Sequence, residues 1–118
     1  MDTTTKAFFE GLDGRHDPAL EKANGTIRFD LKEDGRIERW FVAIDGGDIS
    51  VSRRNAAAAC VVRASGSTFA SLARGKANAM AAVLRGALMV EGDLELLVRF
   101  QRLLPSPPPT RIAREAEA

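Results

Sequence analysis

The sequence predicts an α/β fold of the α+β kind, in which about five short helices cover a five-stranded sheet. Apolar and polar residues alternate in three segments between residues 26 and 53, as in strands with one buried face. Apolar residues instead recur at helical spacing in 3–12, 68–74 and 94–104. The length of 118 residues fits one domain. Such a domain buries roughly two-thirds of its unfolded surface, which provides one core.

The N-terminal region is predicted to form two helices. Residues 3–12 carry their phenylalanines and leucine on one face, and the following Asp-Gly pair ends the run. Asp17 then has the position of an N-cap, because Pro18 follows at the first helical position. This second helix is expected to be short and to end near 24–25.

A three-stranded antiparallel meander is predicted at 26–32, 37–45 and 48–53. The two connections, 34–35 and 46–47, are Asp-Gly and Gly-Gly, which suit tight hairpin turns because glycine tolerates a positive φ. The second strand has apolar residues on both faces. This pattern favours a central strand, or one that also lines a cavity.

The middle of the chain is predicted to form a fourth strand and two short helices. The strand is 60–64, after an arginine- and alanine-rich linker of uncertain structure. Ser65-Gly66-Ser67 caps a helix at 68–74, and a second helix at about 77–85 ends at Gly86. On that second helix, we expect Met80, Val83 and Leu84 to share one side.

A fifth strand at 87–91 and a closing helix at 94–104, capped by Asp93, complete the predicted domain. Proline lacks a backbone donor and restricts the preceding residue, so the proline-rich run from Pro105 ends regular structure. We therefore predict one domain over 1–104 and a disordered tail over 105–118.

Composition argues against several classes of protein. The net charge of +1 creates no global field for nucleic acid, and the few aromatic residues, none of them tyrosine, provide no stacking platform. No apolar run reaches the ~20 residues of a membrane span. The first residues lack the apolar region of a secretory signal. A cytoplasmic protein that does not bind nucleic acid is the expectation.

The sequence has few residues of the types that usually act in catalysis or bind metals. His16 is the one histidine and Cys60 the one cysteine, too few for a Cys/His metal site. A loop histidine is usually solvated, and a strand cysteine is usually a small buried residue. Arg53 and Arg54 fit either an anion contact or a charged strand end. We predict no enzymatic activity, no catalytic residue, no metal and no cofactor.

The segment 75–93, with the sequence GKANAMAAVLRGALMVEGD, carries a resemblance to a known family. It resembles the Gly-Lys-x-Asn-x-x-x-Ala-x-x-x-Gly-Lys-x-x-x-x-Gly-Asp pattern of the sterol carrier protein 2 (SCP-2) family. The predicted order of helices and strands over residues 5–104 is also similar. The chain departs from the pattern at Ala79, often proline in the family, and at Ala87, usually lysine. Its arginine- and alanine-rich composition is similar to that of stand-alone bacterial members.

The resemblance implies a mixed five-stranded sheet whose helices enclose an apolar tunnel. It also implies non-enzymatic binding and intracellular transfer of a sterol, fatty acid, acyl-CoA or phospholipid, as a monomer or homodimer with transient membrane contact. The apolar residues implied as tunnel lining are Phe69, Leu72, Ala73, Met80, Val83, Leu84, Leu88, Val90, Leu97, Phe100 and Leu103.

Other interpretations stay open at this stage. Periodicity alone does not separate core-facing from cavity-facing residues, so the same side chains fit a filled interior. The alternative function is a structural or interaction module that associates with itself or with an enzyme. In the lipid-carrier hypothesis, the closing helix 94–104 is the expected lid, and Phe100 is expected to contact the lipid.

Overall fold

The computed structural model describes residues 3–105, which fold as a five-stranded mixed sheet with helices, as predicted. The predicted tail lies, apart from Pro105, outside the described residues. The strands are β1 (Asn24–Glu33), β2 (Arg36–Asp45), β3 (Asp48–Ser52), β4 (Cys60–Ser65) and β5 (Met89–Gly92). The α-helices in this range are α1 (Thr3–Leu12), α2 (Gly66–Ala73), α3 (Ala79–Leu84) and α4 (Leu94–Phe100). Pro18–Leu20 and Gln101–Leu103 are 3-10 helices.

The strands lie in the order β3-β2-β1-β4-β5, with β1 in the centre. The predicted meander forms the β3-β2-β1 half, and both of its pairings are antiparallel. β1 and β4 pair in parallel, with Ile27 beside Cys60, whereas β4 and β5 are antiparallel. The parallel pair joins the N-terminal meander to the C-terminal half of the domain.

Several element boundaries differ from the prediction for local reasons. The short second helix is a single 3-10 turn, for which the Asp17 side chain accepts a hydrogen bond from the Ala19 amide. Helix α3 begins at Ala79 rather than 77, because the Asn78 side chain caps it at the Ala81 amide, at 3.1 Å. The closing helix changes from α to 3-10 geometry at Gln101.

The core lies between one face of the sheet and the helices. Every α-helix of the described region contributes buried residues to the same cluster as Ile27, Phe29 and Leu31 of β1. At its centre, the Phe9 ring is stacked between Trp40 at 4.8 Å and Phe69 at 5.1 Å, measured between ring centroids. We call this helix-covered side of the sheet the inner face.

The opposite, outer face carries no helix among residues 3–105, but the connection 53–59 crosses part of it. The Arg54 guanidinium lies 5.3 Å from the centre of the Phe41 ring, and Arg28 donates a hydrogen bond to the Ala56 carbonyl at 3.0 Å. The Ala59 amide donates to the Thr26 hydroxyl at 3.1 Å. This crossing explains why β2 is apolar on both faces, since Phe41 is buried outside the main core.

Candidate functional site

Helix α3 is the most lightly anchored part of the layer that covers the inner face. Its buried residues are two alanines, Ala79 and Ala82, whose small side chains remove little apolar area from water. In contrast, α4 buries Leu96, Leu97 and Phe100. Gly75 before α3 and Gly86 after it have φ values of 72° and 78°, which glycine adopts without steric cost. The helix is therefore bounded by two turns that depend on glycine.

Six of the eleven side chains predicted to line a tunnel are buried. Phe100 is fully buried and contacts Phe29, with ring centroids 5.0 Å apart. Leu88 precedes β5 instead of lying on it, because the strand begins at Met89 and not at 87. The six are Phe69, Leu72, Ala73, Leu88, Leu97 and Phe100.

Four other predicted residues are half-buried and pack against the edge of the core. They lie on three different elements, namely α3, β5 and the final 3-10 helix: Met80, Val83, Val90 and Leu103. Leu84 differs from the expectation that it shares their side, because it is 88% exposed at the C-terminal end of α3. The buried face of α3 is that of Ala79 and Ala82, and Leu84, five residues after Ala79, lies about 140° around the helix from it.

A cavity of about 260 Å³ opens between the start of α3 and the 3-10 helix that follows α4. We call it the seam. Sequence reasoning did not single out its lining, which includes polar side chains and the last apolar residue before the prolines. The lining residues are Ala77, Asn78, Ala79, Gln101, Arg102, Leu104 and Pro105.

The two residues with catalytic potential lie elsewhere. Burial raises the pKa of the Cys60 thiol to about 11, and Asp93 adds to the effect, so the thiol is protonated at neutral pH. His16 is solvent-exposed, and its Nδ1 donates a hydrogen bond to Asp48 Oδ1 at 2.7 Å. That bond raises the pKa of His16 above its usual value. No group of three His, Cys, Asp or Glu side chains in residues 3–105 is arranged to hold a metal.

The described region also contains no helix long and apolar enough to cross a membrane. A domain with a mixed sheet covered by helices on one face and an apolar interior belongs to the class of small α+β domains. The SCP-2 sterol transfer family matches residues 6–105, so this chain belongs to that family. The resemblance seen in the sequence is thereby confirmed.

Solved structures show the same fold in different contexts. Sterol carrier protein 2 from Yarrowia lipolytica, in its apo form, is 25% identical, with a TM-score of 0.63 over 86% of this chain and 84% of its own. The ubiquinone synthesis protein UbiJ-SCP2 is 22% identical, with a TM-score of 0.64. The match covers 86% of this chain and 92% of that protein.

A third neighbour is a much larger enzyme. The inverting sec-alkylsulfatase Pisa1 from Pseudomonas sp. is 22% identical, with a TM-score of 0.67 over 87% of this chain. The match spans only 16% of the alkylsulfatase. The similarity is therefore to one portion of that enzyme and shows the fold alone. No functionally curated protein matches the chain in sequence.

Proposed function

We propose that this chain binds a lipid in the apolar interior between the inner face and the helices, and transfers it without chemical change. The observation that carries the proposal is the weak anchoring of α3 by two alanines between two glycine turns. Family membership supports a lipid as the ligand class. A sterol, fatty acid, acyl-CoA or phospholipid each has the apolar carbon surface that such an interior would accept.

Entry of a lipid requires side chains to move, because the interior is filled with rings in contact. Phe29 lies within 5.4 Å of both Phe9 and Phe69, between ring centroids, and 5.0 Å from Phe100. Moving α3 exposes less apolar surface than moving α4, whose phenylalanine is fully buried. We therefore assign the lid to α3 instead of the closing helix. Each buried methylene of the guest contributes about 0.8 kcal/mol to binding.

The seam is the proposed entrance, since it lies where α3 begins. Met80, Val83 and Leu103 are half-buried next to the core, and we assign them the first contacts with an incoming chain. Flexible methionine adapts to guests of different shape. Phe69, Leu72, Leu97 and Phe100 would form the floor on which the guest comes to rest.

Transfer also requires contact with a bilayer, and exposed apolar side chains on α3 and α4 suit that role. Leu84 at the end of α3 is 88% exposed. Leu94 and Val98 lie one turn apart on α4 and are also exposed. We propose that these three side chains enter the membrane interface while α3 opens, and that Leu84 thus acts in delivery and not as cavity lining.

The first experiment is native mass spectrometry of the purified chain, followed by denaturation and identification of any released molecule. We expect a mass above that of the chain, with a lipid recovered, or uptake from an added panel of palmitate, cholesterol and phosphatidylglycerol. Val83→Asp should abolish uptake while circular dichroism keeps its folded signal. Ala81→Asp, at an exposed position of the same helix, is the matched control and should retain uptake. Bare protein that takes up no lipid contradicts the proposal.

A second candidate is an interaction module with a permanently filled interior. The observations in its favour are the close ring packing of the core and the similarity to a portion of a larger alkylsulfatase. Oligomeric state together with lipid content separates the two functions. A stable dimer that takes up no lipid would support the module, whereas lipid uptake supports the carrier.

A further inference from the structure

The outer face carries a second cavity, of about 380 Å³, on the side of the sheet opposite to the proposed lipid interior. The connection 53–59 covers the Thr26 and Phe41 end of this face and leaves the other end open. The open end lies over the C-terminal half of β1, the start of β2 and the start of β5. Its lining residues are Asp30, Lys32, Ile37, Arg63, Ala64, Ser65, Ala87 and Met89.

Positive charge converges on the floor of this cavity. Asp30 is only 8% exposed, and Arg28 holds its carboxylate with two hydrogen bonds of 3.0 and 3.1 Å. Arg39 lies 3.5 Å and Arg63 4.0 Å from the same carboxylate. Three guanidinium groups therefore surround one negative charge.

The charges do not cancel around the cavity. By the strand register, Lys32 on β1 lies on the same face as the three arginines and is a fourth cationic group. Glu91 on β5 lies on this face too and is a second carboxylate beside Asp30. Glu91 pairs with Arg63. Lys32 is exposed, and within residues 3–105 no carboxylate pairs with it. Four cationic groups thus face two carboxylates, which leaves an excess of positive charge at an open site.

Apolar side chains stand beside this charge. Ile37 on β2 is 50% exposed and Met89 on β5 is 61% exposed, and both line the cavity. The two side chains stand on either side of the β1–β4 pair, so both walls of the cavity carry apolar surface. The cavity volume lies in the range of small-molecule sites, which combine apolar walls with a few polar groups.

We propose that this outer-face cavity is a second ligand site, which binds an alkyl carboxylate of medium chain length. The carboxylate would pair with Lys32 and share Arg63 with Glu91. The alkyl chain would lie between Ile37 and Met89. A concave site of this volume and charge fits a small amphiphilic anion better than it fits a partner protein with a flat surface. The proposal does not depend on the interior lipid site, since the two lie on opposite faces of the sheet.

The methyl groups of two methionines report on ligand binding at the two sites separately, in one NMR experiment. The chain has three methionines, of which Met89 lies in the outer-face cavity and Met80 on the lid helix. Protein labelled with carbon-13 at the methionine methyls is titrated with decanoate, below its micelle concentration, and followed by NMR. We expect a saturable shift of the Met89 methyl signal, and no comparable shift with decanol, which has the same chain but no charge.

Charge reversal tests the recognition chemistry. Lys32→Glu should weaken the affinity read from Met89 by about tenfold, because it removes one charge-assisted contact and adds a like charge. Lys22→Glu, the same change at an exposed position before β1, is the control and should leave the affinity unchanged. Raised salt should weaken decanoate binding, since an open site is screened.

Three results would overturn the proposal. A shift of Met80 alone would assign decanoate to the interior, and would support the proposed carrier function while removing the outer site. A Met89 methyl shift that rises linearly with decanoate concentration and does not saturate would mean that the outer face has no specific site. Equal affinity in wild type and Lys32→Glu would remove the proposed role of charge. If the chain takes up no lipid from the panel but decanoate still gives a saturable Met89 shift, the carrier function alone is overturned.

Discussion

Arg28 binds Asp30 through two parallel hydrogen bonds, from Nε to Oδ1 and from Nη2 to Oδ2, although the two residues lie on the same strand. Residues two apart on a strand point to the same face, so the pair forms without any other element. The register then brings Arg39 from β2 and Arg63 from β4 towards the same carboxylate. Asp30 therefore holds together the charges of three adjacent strands.

We predict that Asp30→Ala destabilises the domain by about 3–5 kcal/mol, because it leaves partly buried guanidinium groups without their counter-charge. Urea unfolding followed by circular dichroism measures the loss. Glu10→Ala on the exposed side of α1 is the control, with an expected effect within about 0.5 kcal/mol. A loss below about 1 kcal/mol for Asp30→Ala would mean that solvent screens this cluster.

Phe9→Ala is expected to cost about 3–5 kcal/mol, because its fully buried ring is stacked on both Trp40 and Phe69. The neighbouring Phe8 is half-buried and contacts the cluster from its edge, so Phe8→Ala should cost less. The same unfolding measurement compares the two variants. Equal losses would contradict the central position assigned to Phe9.

Gly86 and Gly92 both have a positive φ, but only Gly92 has no room for a side chain. Comparing their alanine variants therefore separates the cost of steric contact from the cost of backbone strain. A Cβ on Gly86, at φ 78°, meets no atom within 4 Å, so Gly86→Ala should cost about 1–2 kcal/mol from conformation alone. A Cβ on Gly92, at φ 90°, would collide with the Ala59 carbonyl oxygen. Gly92→Ala should therefore be worse by a further ~1–3 kcal/mol. Thermal unfolding of both variants tests this order, and the reverse order would contradict the β4–β5 geometry.

The contact of His16 with Asp48 and Glu21 makes part of the stability depend on pH. The Asp48 hydrogen bond raises the pKa of His16 in the folded state above the usual value near 6.5. Its contribution is therefore fully present below the unfolded pKa and is lost as pH rises through the folded pKa. Wild type should exceed His16→Gln in stability at pH 5.5, and the difference should shrink by pH 9.

Urea unfolding of both proteins at these two pH values measures that difference. Asp48→Asn removes the stronger of the two acidic partners and serves as the control, since His16→Gln should then have a smaller pH-dependent effect, owed to Glu21 alone. A difference between wild type and His16→Gln that stays constant with pH would mean that the charge of His16 does not contribute.

The meander was predictable from sequence because alternation with period two and Asp-Gly or Gly-Gly turns specify local antiparallel pairing. The parallel contact of β1 with β4 has no such local signal. Ile27 and Cys60 are far apart in sequence, and a mixed sheet followed only from the family resemblance. Alternation along 26–32 puts Arg28, Asp30 and Lys32 on one side of the strand. Their arginine partners on β2 and β4 depend on a register that one sequence does not reveal.

The interior was predictable as a set of apolar residues but not as a geometry. The spacing of Phe69, Leu72, Leu97 and Phe100 indicated buried faces, and these residues are buried. On α3, the spacing of Met80 and Leu84 puts them on one side of the helix, but the helix packs through Ala79 and Ala82, which leaves Leu84 exposed. The cover over Phe41 was missed because the 53–59 connection has no repeating pattern. Which of these residues contact a lipid stays a prediction.

The parallel pairing of β1 with β4 has a consequence for biosynthesis. β1, β2 and β3 emerge from the ribosome before β4 and can pair at once through their short turns. One edge of β1 then has free backbone donors and acceptors, next to the apolar side chains of Ile27, Phe29 and Leu31. Such an edge readily recruits strands from other chains. The nascent domain is therefore most prone to aggregation in the interval before Cys60–Ser65 arrives, and a chaperone that recognises exposed strands would act in that interval.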